Sequence, residues 1–107
     1  MGEFERRKEA FEAFFALSET LRFKALARRN RAVGRWAAEK LALTGEAAER
    51  YAEGLAQAQI DGADDEALVA RLNDEFAKAG VDASAHRIRR RFEAALAQAV
   101  ADVQAGR

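Results

Sequence analysis

The sequence has no cysteine and no proline, a single histidine and no net charge. The missing cysteines exclude disulfides, thiol nucleophiles and thiolate metal ligands together, and they fit a reducing compartment. Without proline, only glycines and capping residues are left to stop a helix. The lone His86 leaves any metal site to carboxylates, and no acids are spaced as in a calcium-binding loop. A zero charge balance argues against a general nucleic-acid or membrane-surface binder, although local patches remain. No apolar run approaches the roughly 18 residues that span a bilayer. The first residues, MGEFERRKEAF, mix acids with bases and do not read as a secretory signal. Arg6 stands where myristoylation wants serine or threonine. The expected setting is soluble and cytoplasmic.

What is present is helical. The chain has 107 residues, of which 50% are hydrophobic. That is enough for one domain, but so much of it is alanine that the core must be thin and closely packed. No segment alternates with a period of two, so no sheet is expected. Residues 21–43, LRFKALARRNRAVGRWAAEKLAL, read as one long helix with two faces. Leu21, Ala25, Ala32, Val33 and Trp36 form the apolar side, and Lys24, Arg28, Arg31 and Arg35 form a basic stripe.

Before this helix, Phe4, Phe11, Phe14 and Phe15 recur at helical spacing. Ser18 and Thr20, good caps and moderate interior residues, break the pattern. After it come three shorter amphipathic helices. One runs from Gly45 with Ala48, Tyr51, Leu55 and Ala58 on one side. The next starts at Asp64 or Asp65 and carries Leu68, Val69, Leu72, Phe76 and Ala79. The last, capped by Ser84, carries Ile88, Phe92, Leu96, Ala99, Val100 and Val103. The expected architecture is all-α. It is a small four-helix bundle with a long first helix over residues 20–104, preceded by a mobile N-terminal segment over residues 1–19. Trp36 is expected to be largely buried, near Leu72, Phe76, Phe92 or Leu96.

No catalytic constellation emerges. Ser84 and His86, two residues apart on a helix, face differently and make no nucleophile–base pair. Asp64, Asp65 and Glu66 read as a helix start, where acids suit the dipole. Two basic groups stay open between a solvated face and an anion or partner site. They are Lys24, Arg28, Arg31 and Arg35, and Arg87, Arg89, Arg90 and Arg91. The second opposes the dipole at a helix N-terminus and needs some compensation. The phenylalanine segment reads either as a helix packed on the bundle or as an amphipathic helix that enters a partner's groove. Its interspersed glutamates count against membrane docking.

Two stretches go further. FKALARRNRAVGRWAAEKLALTGEAAERYA (23–52) and GVDASAHRIRRRFEAALAQAV (80–100) resemble the zeta subunit family of alphaproteobacterial F-type ATP synthases. ARRN, WAAEKL and TGEAAERYA at this spacing are specific, and the resemblance covers nearly the whole chain. It implies a non-enzymatic regulatory subunit that inhibits ATP hydrolysis. An N-terminal segment would enter a catalytic interface of the head, among its alpha, beta and gamma subunits. The inhibitory segment maps by position onto residues 3–17, so Phe4, Arg6, Arg7, Lys8, Phe11, Phe14 and Phe15 become partner-binding candidates. Arg28, Arg29, Asn30, Trp36, Glu39 and Lys40 match the family's central motif, for which structural and nucleotide-related roles both stay open.

The chain departs from the family at its start. Phe4-Glu5-Arg6-Arg7-Lys8 stands where paired acids and a basic residue are usual, and Glu12-Ala13-Phe14-Phe15 lacks the usual lysine. These departures bear on inhibitory strength, not on fold. No metal or cofactor is expected, with ATP or ADP as the one candidate regulatory ligand. Lys24, Arg28, Arg31, Arg35, Trp36, Arg89 and Arg90 are the candidates to hold it, by phosphate charge and ring stacking. A nucleotide sensor is therefore the second reading, and a nucleic-acid accessory protein the third. The expected protein is a monomer when free, binds no nucleic acid, inserts into no membrane directly, and sits at the inner membrane only through the ATP synthase.

Overall fold

The computed structural model describes residues 2–107. They form five helices: α1 (Glu3–Ala16), α2 (Glu19–Lys40), α3 (Gly45–Ile60), α4 (Asp65–Lys78) and α5 (Ala85–Gln104). No strand occurs among the described residues, so the all-α class holds. The expected four-helix bundle with a long first helix does not. The phenylalanine segment is a helix in its own right, and the first helix is therefore the 14-residue α1. The long helix is the second, at 22 residues.

Local chemistry sets the boundaries. Ser18 Oγ accepts from Leu21 N at 3.2 Å and starts α2. Asp64 Oδ1 accepts from Ala67 N at 2.8 Å and starts α4, while Ser84 Oγ accepts from Arg87 N at 3.2 Å and starts α5. Each side-chain oxygen satisfies an amide that the helix leaves unpaired. Thr44 occupies the cap position of α3 without a side-chain bond. At the end of α2 the chain turns through Ala42 at φ 60°, and Leu43 N reaches back to Ala38 O at 2.9 Å. That closure usually falls to glycine, because a Cβ disfavours the left-handed conformation.

The main core joins α2, α3, α4 and the first half of α5. Val33, Ala37, Leu55, Leu68, Val69, Leu72, Phe76, Ile88 and Phe92 are buried in it. The stripes expected on α4 and α5 supply most of these positions. On α2 the expected face is partly wrong. Ala25 and Val33 are buried, but Ala32 and Leu21 are exposed, and Arg29, Asn30 and Gly34 take inner positions. Trp36 is only partly buried. Its ring meets Phe76 edge to face at 5.5 Å, and the Arg91 guanidinium lies 5.2 Å from its centroid. Charge thus covers part of a ring that the sequence placed in the interior.

Small residues let α2 and α3 cross closely. A Cβ added to Gly34 would lie 2.6 Å from Ala52 Cα. Tyr51 ties α3 to α4 by donating to Glu75 at 2.9 Å. Burial, reinforced by that bond to a carboxylate, pushes the phenol well above its usual range. A second, smaller core joins Ala25 of α2 with Ala99, Val100 and Val103 of α5, and Ala13, Phe14 and Leu17 pack against it.

Candidate functional site

α1 carries two apolar stripes, and only one is used by its own chain. Ala13 and Phe14, with Leu17 just beyond the helix, face the second core. Phe4, Phe11 and Phe15 fall on a neighbouring face and are 71%, 58% and 58% exposed. No residue of α1 is buried. Phe15 packs edge to face with Phe11 and Phe14, at centroid distances of 4.9 and 5.3 Å. Three large apolar rings facing solvent along one helix are unusual for an isolated domain.

The joint behind α1 is well defined. Leu17 is extended and Ser18 caps α2. The last turn of α1 contains no basic residue, and Arg22 of α2 supplies one. Its Nη1 donates to Leu17 O at 2.8 Å and to Phe15 O at 3.3 Å. Farther out, Arg7 Nη1 reaches Glu93 of α5 at 2.9 Å, and Arg90 reaches Glu3 at 3.5 Å. Phe4 and Phe11, together with Val69, Phe92 and Leu96, line a groove of about 580 Å³. Arg6 and Lys8, also expected at a partner surface, are exposed.

Arg29 and Asp65 are among the polar residues that line this groove. Arg29, 3% exposed, donates to both Asp65 oxygens, at 3.0 and 2.8 Å, and through Nε to Asn30 Oδ1 at 3.0 Å. Asn30 is fully buried and donates to Gln59, which donates in turn to Asp65 at 3.2 Å. The guanidinium also lies 5.0 Å from the Phe92 ring centroid. Hydrogen bonds from Arg29 hold the Asp65 carboxyl below the usual carboxylate range, against the opposing effect of burial. The network links α2, α3, α4 and α5, so Arg29 and Asn30 of the ARRN motif have a structural part. The sequence left a structural role open for them without showing the network, although Arg29 stands four residues from both Ala25 and Val33 and so shares their face.

The basic stripe is brought together. Lys24, Arg28, Arg31 and Arg35 all line a groove of about 570 Å³ between α2 and α5. Two of the four are paired to α3: Arg31 with Glu53 at 2.6 Å and Arg35 with Glu49 at 3.3 Å. Lys24 and Arg28 have no carboxylate within 4.0 Å among the described residues. The other candidate anion residues lie elsewhere. Trp36 packs on Phe76, Arg89 pairs with Glu66 at 3.0 Å, and Arg90 serves Glu3 and Glu93. Arg87 donates to Asp82 O at 3.2 Å. The cationic start of α5 is thus compensated by acids, a carbonyl and the Trp36 ring.

Among the described residues no three His, Cys, Asp or Glu side chains gather as a metal site requires. No described helix is long and apolar enough to cross a membrane. A family model described as ATPase inhibitor subunit zeta matches residues 1–102. The chain belongs to the ATPase inhibitor subunit zeta family. No curated protein shows a match to it. The matched range includes all of α1.

Proposed function

We propose that this chain is a non-catalytic regulatory subunit of an F-type ATP synthase and that α1 is its inhibitory element. The helix enters a catalytic interface of the head, where alpha, beta and gamma subunits meet, and blocks ATP hydrolysis. One observation carries the reading: Phe4, Phe11 and Phe15 form an exposed aromatic face on a helix with no buried residue. Burying such a face in a partner's groove is favourable by roughly 1–2 kcal/mol per ring, given how exposed each is. Arg6 and Lys8 beside it add charge that can orient the helix against acidic subunit edges. A photo-crosslinking residue in place of Phe11 tests this. Capture of head subunits at the catalytic interface is expected, and capture only from bundle positions such as Glu49 overturns it.

A second reading concerns the groove between α2 and α5. Lys24 and Arg28 line it with no carboxylate within 4.0 Å among the described residues, Asp102 stands in the same lining, and Arg31 and Arg35 flank it, a mainly cationic setting that suits the phosphates of ATP or ADP as a regulatory ligand. The expected result is movement of the Lys24 and Arg28 amide resonances on titration with ADP, lost in Lys24→Gln/Arg28→Gln. An unchanged spectrum at millimolar ADP excludes this reading and leaves the first intact.

A further inference from the structure

The contacts that hold α1 are divided along its length. Near the joint, Phe14 and Leu17 are anchored in the second core, and Arg22 binds the last carbonyls. The outer half has no such anchor. Phe4 and Phe11 share with Phe92 and Leu96 the lining of an open groove, and both rings stay more than half exposed. What holds this half is charge. Glu3, Arg90, Glu93 and Arg7 alternate in sign across the α1–α5 boundary. Arg90 pairs with Glu3 at 3.5 Å and Glu93 at 3.7 Å, and Glu93 accepts from Arg7 at 2.9 Å. All four side chains keep a third or more of their surface in solvent. Arg7 Nε is buried without an acceptor among the described residues, which opening would relieve.

We infer that this Glu3–Arg90–Glu93–Arg7 ladder is an autoinhibitory clasp that sets how much of the protein is ready to inhibit. The inference rests on the inhibitory reading of α1. In the closed state Arg7 is occupied by Glu93, and the inner side of α1 is turned to its own bundle. Only molecules with the outer half of α1 released can offer the whole helix to a partner. Apparent affinity is lowered by the fraction that is open. Partly exposed ion pairs are weak, so the clasp is a tuning device and not a lock. It is loosened by salt, since screening acts most on exposed charges.

The test uses the full chain and changes only α5, leaving the inhibitory helix as it is. Glu93→Gln removes the acceptor shared by Arg7 and Arg90. Amide hydrogen exchange over residues 7–11 should quicken roughly two- to five-fold, and half-inhibition of ATP hydrolysis should need roughly two- to five-fold less protein. Arg90→Gln, which frees Glu3, should act in the same direction. Asp74→Asn, which breaks only the Lys78–Asp74 pair on α4, should leave both readouts at parental values. Three results overturn the clasp: parental α1 amides exchanging at the rate of an unstructured chain, Glu93→Gln leaving exchange unchanged, or faster exchange with unchanged or weaker inhibition. If the parent does not inhibit at all, the inhibitory reading falls and the regulatory role with it. The exchange measurement then still decides whether the ladder holds α1 closed.

Discussion

Replacing Asp65 by alanine should destabilise this protein by about 2–3 kcal/mol, a large effect for a residue at a helix start. The magnitude follows from the asymmetry of the pair. The Arg29 side chain is 4% exposed, whereas that of Asp65 is 59% exposed. Removing the carboxylate strips two of the three guanidinium bonds and leaves a buried charge without its counterion. Breaking such a pair costs about 3–5 kcal/mol when both partners are buried. Here the vacated position is open to water, which lowers the figure. For a chain of this length the melting temperature should fall by roughly 8–12 °C, read by helical circular dichroism. Urea unfolding should give the same loss with an unchanged slope. Arg29→Met/Asp65→Ala removes the stranded charge and should cost less than the two single changes together by about 1 kcal/mol or more. A shift under about 2 °C for Asp65→Ala, or strict additivity in the cycle, would refute the view that this network ties the four helices together.

Gly34→Ala should destabilise by about 1–3 kcal/mol, seen in urea unfolding. The new Cβ meets the Ala52 backbone at 2.6 Å, and this outweighs the helical preference for alanine. Ala42→Gly should do the reverse, raising stability by about 1 kcal/mol, because it relieves the positive φ that closes α2. Stability should also fall in acid. Asp65 has its folded pKa held below the ordinary 3.8, so its contribution is present above that value and is lost as pH drops through the folded pKa. Asp65→Asn should flatten melting temperature against pH below about pH 4, and an unaltered acid limb would show that other carboxylates govern it.

The parts of the fold legible in the sequence were those with a clean period. Leu68, Leu72 and Phe76 on α4, and Ile88, Phe92 and Val103 on α5, were readable as stripes and are buried. Ser18 and Ser84 were readable as caps because their oxygens have a local task. α2 was harder. Its inner face mixes Ala25 and Val33 with Arg29, Asn30 and Gly34, so hydrophobicity alone pointed toward Leu21 and Ala32, which lie outside. Arg29 can be buried only because Asp65 comes to it from 36 residues away, and no local window contains that pairing. The same holds for Arg7 and Glu93, 86 residues apart. At the candidate site the periodicity of Phe4, Phe11, Phe14 and Phe15 announced a helix. It did not announce that Phe14 would turn inward while the other three stay more than half exposed, since that division depends on where α5 lies.

The central claim is that the exposed rings of α1 act on a partner and not on the chain's own fold. The full chain carrying Phe4→Ser, Phe11→Ser and Phe15→Ser tests it directly, in an ATP hydrolysis assay with a matched ATP synthase head. Because these rings are more than half exposed, the melting temperature should stay within about 3 °C of the parent. Inhibition should nevertheless weaken by a hundred-fold or more, on the order of 3 kcal/mol of lost contact. Parental inhibition by the triple variant would contradict the account, because the inhibitory surface would then lie on the bundle.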